Sequence, residues 1–329
     1  MAMNISIIPM PRMADDEGPA RPGLQSLGGA SDASMTPVES IGSKLFTVIV
    51  PAHNEEAVIA RCLRSIYADA PSGHEPEVII AANGCTDNTA QNAREASPKA
   101  IVLDLENPSK AGAINQANLV ASHFPQLVMD ADVTSSYQTL AAVAAKLRDG
   151  KHMAASPRMT LNLTHCSAAV RSYYKVWLTL PYASNGLIGG GVYGLSQSGV
   201  ERALPLPNVI GDDLYVRTRF DRSERTNVSQ DNAGNPVFVE MTPPATISQL
   251  INIEARRRMG KHEVDSQHST EQSGKINRWQ DLLASLSKGA NVFDLMVYVV
   301  VKLSAWARFI LNLRLGKRDW LRDNSSRRA

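Results

Sequence analysis

The sequence predicts an α/β fold built around a parallel sheet, because strand-like and helix-like segments alternate between residues 46 and 129. Apolar runs typical of buried strands occur at Phe46–Pro51, Val78–Ala81, Ala100–Leu103 and Leu127–Met129. Segments with helical spacing separate these runs. Alternation in such short units indicates parallel strands that are joined by right-handed crossovers.

Helical periodicity supports the other half of this prediction. The predicted helices are Glu55–Tyr67, Asn88–Ala96, Lys110–Ser122 and Tyr137–Asp149, and a further strand is predicted within Met153–Leu163. The first helix places five apolar residues on one face, namely Val58, Ile59, Cys62, Leu63 and Ile66. A helix with one apolar face is expected to pack against the sheet.

Three polar clusters follow three of the predicted strands. They are His53-Asn54-Glu55, the segment Asn83–Asp87, and Asp130-Ala131-Asp132. Sheets of this kind bind ligands beyond the carboxyl ends of their strands, so the clusters are expected at one edge. If Asp130 and Asp132 continue the strand, both carboxylates project to the same side and suit a hard divalent cation. Turn chemistry is the alternative for each cluster.

Composition excludes several classes of protein. The 329 residues are 43% hydrophobic and carry a formal net charge of +2, which argues against a dedicated nucleic-acid binder. Three scattered cysteines without a CxxC motif predict a reducing, cytoplasmic environment without structural zinc. Residues 1–44 are rich in Gly, Pro and Ser and are predicted to be a disordered leader rather than a signal peptide. No apolar run is long enough to predict a membrane-spanning helix.

Several segments, taken together and in order, carry a family resemblance. They are Thr47-Val-Ile-Val-Pro-Ala-His-Asn-Glu-Glu56, Ala82-Asn-Gly-Cys-Thr-Asp-Asn-Thr89, Lys110 with Asn115, Asp130-Ala-Asp132, Gly189-Gly-Gly-Val-Tyr-Gly-Leu-Ser196, Gly211-Asp-Asp-Leu214, and Pro244-Ala-Thr-Ile with Arg256-Arg-Arg-Met-Gly260. The chain resembles the family 2 glycosyltransferases, which have a GT-A fold and transfer sugars from nucleotide-sugar donors. The resemblance covers roughly residues 46 to 262.

The resemblance implies a donor site and a metal site. Donor-binding residues implied by it are Pro51, Ala52, Asn54, Glu55, Asn83, Asp87, Lys110, Asp130, Arg256 and Arg258. Asp130 and Asp132 match the pair that holds a divalent cation, Mg²⁺ or Mn²⁺, in that family. Asp213 matches its catalytic base, with Asp212 as the orienting neighbour.

Simpler readings exist for the same residues. Asp212 and Asp213 could only cap a helix and favour its dipole. The run Arg256-Arg-Arg258 could be a solvated helix face. Asn83 and Asp87 would form an Asx-type turn without a ligand. The Gly-rich segment around Gly190 could be a turn or bulge instead of a ligand loop.

Two departures from the family pattern narrow the expected activity. Ala82-Asn83 stands where uridine-dependent members often have an acidic pair, so a uridine donor is not assumed. The segment around Arg257 lacks the Gln and Trp of processive synthases, which predicts transfer of one sugar per encounter.

The predicted domains are residues 45–262, divided into a nucleotide-binding half (45–134) and an acceptor half (135–262), and a helical C-terminal region (263–329) with a basic tail.

The segment Val292–Leu311 is apolar but contains Asp294, Lys302 and Arg308 within one arc of a helical wheel. It is predicted either to pack on the catalytic domain or to lie on a membrane. The tail adds Arg314, Lys317, Arg318, Arg322, Arg327 and Arg328, which favour an anionic membrane surface. A lipid-linked or membrane-proximal acceptor is therefore a hypothesis.

The predicted function is an inverting, metal-assisted glycosyltransferase that acts in surface glycan or glycolipid synthesis on a glycan or lipid-linked acceptor. One alternative is a catalytically silent GT-A-like module that binds nucleotide sugars or partners. Another is a sugar nucleotidyltransferase, but such enzymes usually have a Gly-rich, Arg-containing loop where this chain has Pro51-Ala-His-Asn-Glu55.

Overall fold

A computed structural model describes residues 46–180, 183, 188–267 and 279–315 of the chain. Its centre is an eight-stranded sheet with the order β3-β2-β1-β4-β6-β5-β7, and β8 pairs with β5. The strands are β1 (Thr47–Ala52), β2 (Glu77–Asn83), β3 (Ile101–Leu105), β4 (Gln126–Met129), β5 (Ala154–Leu161), β6 (Val192–Leu195), β7 (Arg225–Val228) and β8 (Phe238–Met241). The predicted mostly parallel sheet is confirmed, with β6 as the antiparallel member between β4 and β5.

Helices cover both faces of this sheet and continue beyond it. They are α1 (Ile59–Tyr67), α2 (Thr89–Ala96), α3 (Lys110–Val120), α4 (Tyr137–Leu147), α5 (Ala168–Trp177), α6 (Gln197–Ala203), α7 (Asp212–Thr218), α8 (Ile247–Gln267), α9 (Trp279–Ser287) and α10 (Val292–Arg314). A short 3-10 helix occupies Arg222–Glu224. The predicted helical C-terminal extension is therefore confirmed in α9 and α10.

The central strands are buried on both faces, which explains their near-continuous apolar sequences. In β1, Val48 and Val50 join the core under α1 and α4, whereas Ile49 joins the core under α3. A third apolar cluster, which includes Tyr173, Leu250, Tyr298 and Val301, joins α5, α8 and α10.

The strand order creates a crevice at the carboxyl ends of β1 and β4. β1 pairs with β2 on one side and with β4 on the other, in parallel on both sides. The crossovers from these two strands therefore leave in opposite directions, which opens a ligand-sized gap at the strand ends. The predicted polar clusters follow β1, β2 and β4, so all three do lie at this one edge.

Several helix boundaries differ from the prediction. The helix predicted from Glu55 begins at Ile59, because the carbonyl of Glu55 accepts from the amides of Val58 and Ile59 in a preceding turn. Asn54, directly before that turn, has a left-handed backbone with φ of 52°. The helix predicted to reach Ser122 ends at Val120, because Ala121 is extended. The helix predicted to reach Asp149 ends at Leu147.

The predicted apolar helix near the C-terminus is α10, and it packs on the domain through the side that carries Asp294. Among the described residues, no helix is both long enough and apolar enough to cross a membrane. The predicted leader (1–44), Leu45, and the part of the basic tail from residue 316 onward lie outside the described residues.

Candidate active site

A cleft of about 1860 Å³ opens at the carboxyl edge of the sheet. Its walls come from the loops after β1, β2 and β4, from the glycine turn before β6, and from α7, α8, α9 and α10. Pockets that hold one small ligand usually measure about 300–1,000 Å³, so this cleft has room for two substrates at once.

Lys110 connects two aspartates that lie far apart in the sequence. Its Nζ lies 2.7 Å from Oδ1 of Asp130 and 2.9 Å from Oδ1 of Asp212. Lys110 is the first residue of α3, whose N-terminus is capped by the Ser109 hydroxyl accepting from the Gly112 amide. The lysine therefore joins the end of β4 to the start of α7.

Asp212 and Asp213 begin α7, directly after Gly211. Asp212 is buried, and besides Lys110 it accepts a hydrogen bond of 3.2 Å from the hydroxyl of Tyr193 on β6. Asp213 is less buried and lines the cleft. The two interpretations of this pair, as the start of a helix and as part of a functional site, are therefore compatible. The same two residues begin α7 and line the cleft.

The turn Gly189-Gly190-Gly191 brings backbone close to these carboxylates. All three residues have positive φ, and a Cβ atom at Gly189 would lie 2.8 Å from Oδ2 of Asp213. A Cβ atom at Gly191 would lie 2.4 Å from Cγ2 of Val133. Only glycine permits both the positive φ and the close approach of the backbone to Asp213 and Val133. The three glycines therefore determine the shape of this wall of the cleft.

Negative charge is concentrated around Lys110. Enclosure in the cleft raises the pKa of Asp130; Lys110 opposes this effect, and Asp132 and Asp212 add to it. Enclosure and the adjacent Asp212 likewise raise the pKa of Asp213. Although loss of solvation would lower the pKa of Lys110, the charges of Asp130 and Asp212 raise it.

Asp130 and Asp132 both line the cleft. The expectation that they continue strand β4 is wrong. β4 ends at Met129, and residues 130–132 form a turn in which the Val133 amide donates to the Asp130 carbonyl. The Asp130 amide donates to the carbonyl of Gly191 at 2.8 Å, which holds the start of this turn against the glycine segment. Within the described residues, no three His, Cys, Asp or Glu side chains are grouped so as to hold a metal ion by themselves.

The predicted donor-binding residues of the first two loops divide into two groups. Pro51, Asn54, Glu55 and Asn83 line the cleft, whereas Ala52 and Asp87 do not. Asp87 instead accepts hydrogen bonds from the amides of Thr89 and Glu56, and thereby holds the β1 and β2 loops together. These hydrogen bonds fit an Asx-type turn at Asp87 better than direct binding of the nucleotide-sugar donor by this residue.

The side chains of Asn54 and Asn83 also form hydrogen bonds with backbone groups. Asn54 Oδ1 accepts from the Thr86 amide at 2.8 Å. The Asn83 amide group donates to the carbonyls of Ala52 and Ala81, at 2.8 Å and 3.2 Å. These bonds fix the two loops in one arrangement at the cleft floor.

The arginines of α8 have different surroundings. Arg256 faces the aspartates: loss of solvation and the neighbouring Arg257 lower its pKa, and Asp130, Asp213 and Asp132 oppose this. Arg258 lies along α10, where it donates to the carbonyl of Lys302 at 3.5 Å. Arg256, Arg257 and Arg258 all line the cleft, where Arg257 is exposed and the other two are half-buried.

Sequence reasoning missed an ion-pair network on the far wall of the cleft. Glu254 is buried, and its two carboxylate oxygens accept from Arg257 and from Lys302 of α10. Burial would raise the pKa of Glu254, but the two cations lower it to about 2. In the sequence, this contact could have been suspected from Lys302, a lysine within an apolar predicted helix.

Comparisons with known proteins bear on the family and the fold of the chain. Residues 47–166 match the family described as Glycosyl transferase family 2. The match confirms the resemblance on which the sequence predictions depended, and the protein is a glycosyltransferase. No protein of curated function matches the sequence.

Solved structures that are similar to the chain include a mannosyltransferase and a synthase. A mannosyltransferase from Pyrobaculum calidifontis, solved in complex with GDP-Man and Mn²⁺, has 21% sequence identity and a TM-score of 0.53 over 82% of this chain and 79% of its own. Glucosyl-3-phosphoglycerate synthase from Mycobacterium tuberculosis, solved with Mg²⁺ and UDP, has 18% identity and a TM-score of 0.47 over 70% of this chain and 82% of its own. The first of these establishes the GT-A fold for the chain.

Proposed function

We propose that the protein transfers a sugar from a nucleoside diphosphate sugar to an acceptor hydroxyl by a single, inverting displacement. The observation that carries this proposal is the Lys110 bridge. It gathers Asp130 and Asp212 at the sheet's crevice, with Asp213 adjacent and Arg256 opposite. Four carboxylates and two cations beside a ligand-sized gap form a site for a charged, phosphate-bearing donor.

The residues present fit a divalent cation, Mg²⁺ or Mn²⁺. Magnesium is usually held by one or two carboxylates together with substrate phosphates, so Asp130 and Asp132 suffice as protein ligands. Loss of solvation and the nearby charges of Asp132 and Asp212 raise the pKa of Asp130, and a bound cation would favour its ionised form. A bound cation would stabilise the departing diphosphate as a Lewis acid. The P. calidifontis mannosyltransferase, solved with GDP-Man and Mn²⁺, makes this ligand class the first to test.

The remaining residues have separate roles in the proposal. Arg256 and Lys110 contribute charge-assisted hydrogen bonds to the diphosphate. Asp213 accepts the proton of the acceptor hydroxyl, and its raised pKa favours that role near neutral pH. Asp212 is a positioning residue, because Lys110 and Tyr193 hold its carboxylate.

The cleft volume accommodates donor and acceptor together. We propose a glycan or lipid-linked acceptor, with a place in surface glycan or glycolipid synthesis on the cytoplasmic side of a membrane. One sugar is transferred in each encounter.

The test is donor binding and hydrolysis across a panel of nucleotide sugars, with and without Mn²⁺, for the wild type, Asp132→Ala and Asp104→Asn. Asp104 lies exposed on β3, which makes it a matched acidic control. We expect Mn²⁺-dependent turnover of one donor, lost in Asp132→Ala and retained in the control.

Binding of a donor without turnover, even with candidate acceptors present, would favour a silent binding module instead. If no donor binds with or without metal, the proposal is wrong.

A further inference from the structure

The last two described helices expose a large apolar surface. On α10, the side chains of Phe293, Met296, Val300, Leu303 and Trp306 are each about half exposed, from 49% to 61%. On α9, Trp279, Leu283 and Leu286 are exposed at helical spacing. We refer to these eight residues as the apolar face.

The orientation of α10 is the reverse of that expected for a helix on a water-facing surface. Its acidic residue, Asp294, is buried; it closes a capping box with Asn291 and lies 3.7 Å from Lys175. Lys302 turns inward to Glu254. From Val292 to Ala307, the exposed positions of the helix carry no charge. A helix that is apolar on both sides needs a second apolar neighbour.

The exposed charged residues on and between the two helices that carry the apolar face are all positive, whereas Asp281 of α9 is half-buried. Between residues 279 and 315, the exposed charged residues are Lys288, Arg308 and Arg314. The sequence from 316 to 329, which follows α10, adds five basic and two acidic residues, whereas the whole 329-residue chain carries only +2. Positive charge is therefore concentrated in this part of the sequence.

We infer that the apolar face binds to an anionic lipid bilayer. The combination of an apolar helix side, flanking basic residues and Trp at the border is that of an interfacial helix. No described helix could cross the bilayer, so α10 lies in its surface instead. A second copy of the chain fits less well, because both contacting faces would carry the same positive surplus from Lys288, Arg308 and Arg314.

The apolar face is continuous with the cleft. Trp279 and Leu303 belong to the face and also line the cleft wall. A bilayer on this face would lie at the cleft entrance, and an acceptor with an apolar tail could reach the aspartates without leaving the membrane. That consequence rests on the proposed function, whereas bilayer binding does not.

The test is co-sedimentation of the full chain with vesicles of phosphatidylcholine alone or with 30% phosphatidylglycerol, at low and high salt and without substrates. The variants are the double substitution Met296→Gln with Val300→Gln, and Leu119→Gln on α3 as the control. Neither substituted position of the double variant lines the cleft, and Leu119 is an equally apolar side chain that is 75% exposed. Glutamine preserves helix propensity and adds no charge.

We expect the wild type to bind the anionic vesicles at low salt and to bind them at least about tenfold more weakly at high salt, because screening weakens attraction to the surface. The double variant should bind at least about tenfold more weakly than the wild type, and Leu119→Gln should match the wild type. Equal unfolding midpoints for the variants would exclude a folding defect.

Two results would overturn the inference. One is a wild-type protein that stays in the supernatant with anionic vesicles at low salt. The other is a wild-type dimer in sedimentation velocity that the double variant abolishes while vesicle binding is unchanged, which would assign the face to a second copy. Because no donor or acceptor is present, either result leaves the proposed transfer reaction untouched.

Discussion

The sheet edge and the C-terminal helices use charged residues in opposite ways. At the edge, Asp130, Asp132 and Asp213 gather more negative charge than Lys110 offsets, and the surplus faces a cleft. In the helices, Glu254 is buried between Arg257 and Lys302 and satisfies both. The carboxylates of the sheet edge outnumber their cations and are arranged for a ligand, whereas the single carboxylate of Glu254 bonds two cations, holds the helices together and leaves the outer surface apolar.

The largest expected effect is on kcat, and it comes from the sheet edge. We expect Asp213→Asn to lower kcat about 10²–10⁴-fold, because an amide cannot accept the acceptor's proton. The donor KM should change little, and steady-state kinetics with the preferred donor will measure both. The matched control is Asp104→Asn. A kcat within threefold of wild type would remove Asp213 from the catalytic role.

Loss of the bridging cation should affect both stability and chemistry. Lys110→Met leaves Asp130 and the buried Asp212 without their shared partner, so we expect a loss of roughly 2 to 3 kcal/mol in the free energy of unfolding. Urea denaturation at pH 7 measures it. Lys99→Met, which removes an exposed pair with Glu75, should change little. Equal effects in the two variants would contradict a special role for the bridge.

The Glu254 ion pairs should respond to pH in a defined direction. The pKa of Glu254 is lowered to about 2, so its ion pairs contribute fully above about pH 4.5 and are lost as the pH falls toward 2. Glu254→Gln should therefore cost about 2 kcal/mol in unfolding free energy at pH 7, and this difference should shrink as the pH is lowered from 4.5 to 3. Urea curves at each pH test the trend, with Glu95→Gln on the exposed side of α2 as the control. A gap that widens on acidification would refute the assignment.

A final prediction separates the effect of close packing from that of backbone conformation. Gly191→Ala should destabilise the protein by about 1–3 kcal/mol, since its Cβ would meet Val133 at a positive φ. Gly150→Ala has a similar φ with nothing within 4 Å, so it measures the backbone cost alone. Adding Val133→Ala to Gly191→Ala should recover the packing part. Failure of that rescue would show that the clash is not with Val133.

The arrangement of the sheet edge could be predicted because strand order and periodicity act locally. Asn54 and Asp130 follow apolar strands, and parallel topology brings strand ends together whatever the loops do. The turn at Asp130 could not be predicted, since it depends on the carbonyl of Gly191, which lies 61 residues away. The partners of Lys110 were missed for the same reason.

The orientation of α10 was beyond sequence reasoning for a different cause. Helical spacing separates Asp294 and Lys302 from Met296 and Leu303, but it is identical whichever side turns inward. The choice depends on Glu254 and Lys175, which belong to other helices. Periodicity therefore identifies the two sides of a helix but not their neighbours.

The Lys110 bridge also bears on how such a protein can be divided or recombined. The part of the chain that matches the family ends at residue 166, whereas Asp212, Asp213 and Arg256 lie after it. A fragment that stops at residue 166 would keep one partner of Lys110 and lose the other. A chimera that exchanges the later segment would replace the second partner, the proposed base and the apolar helices in one step.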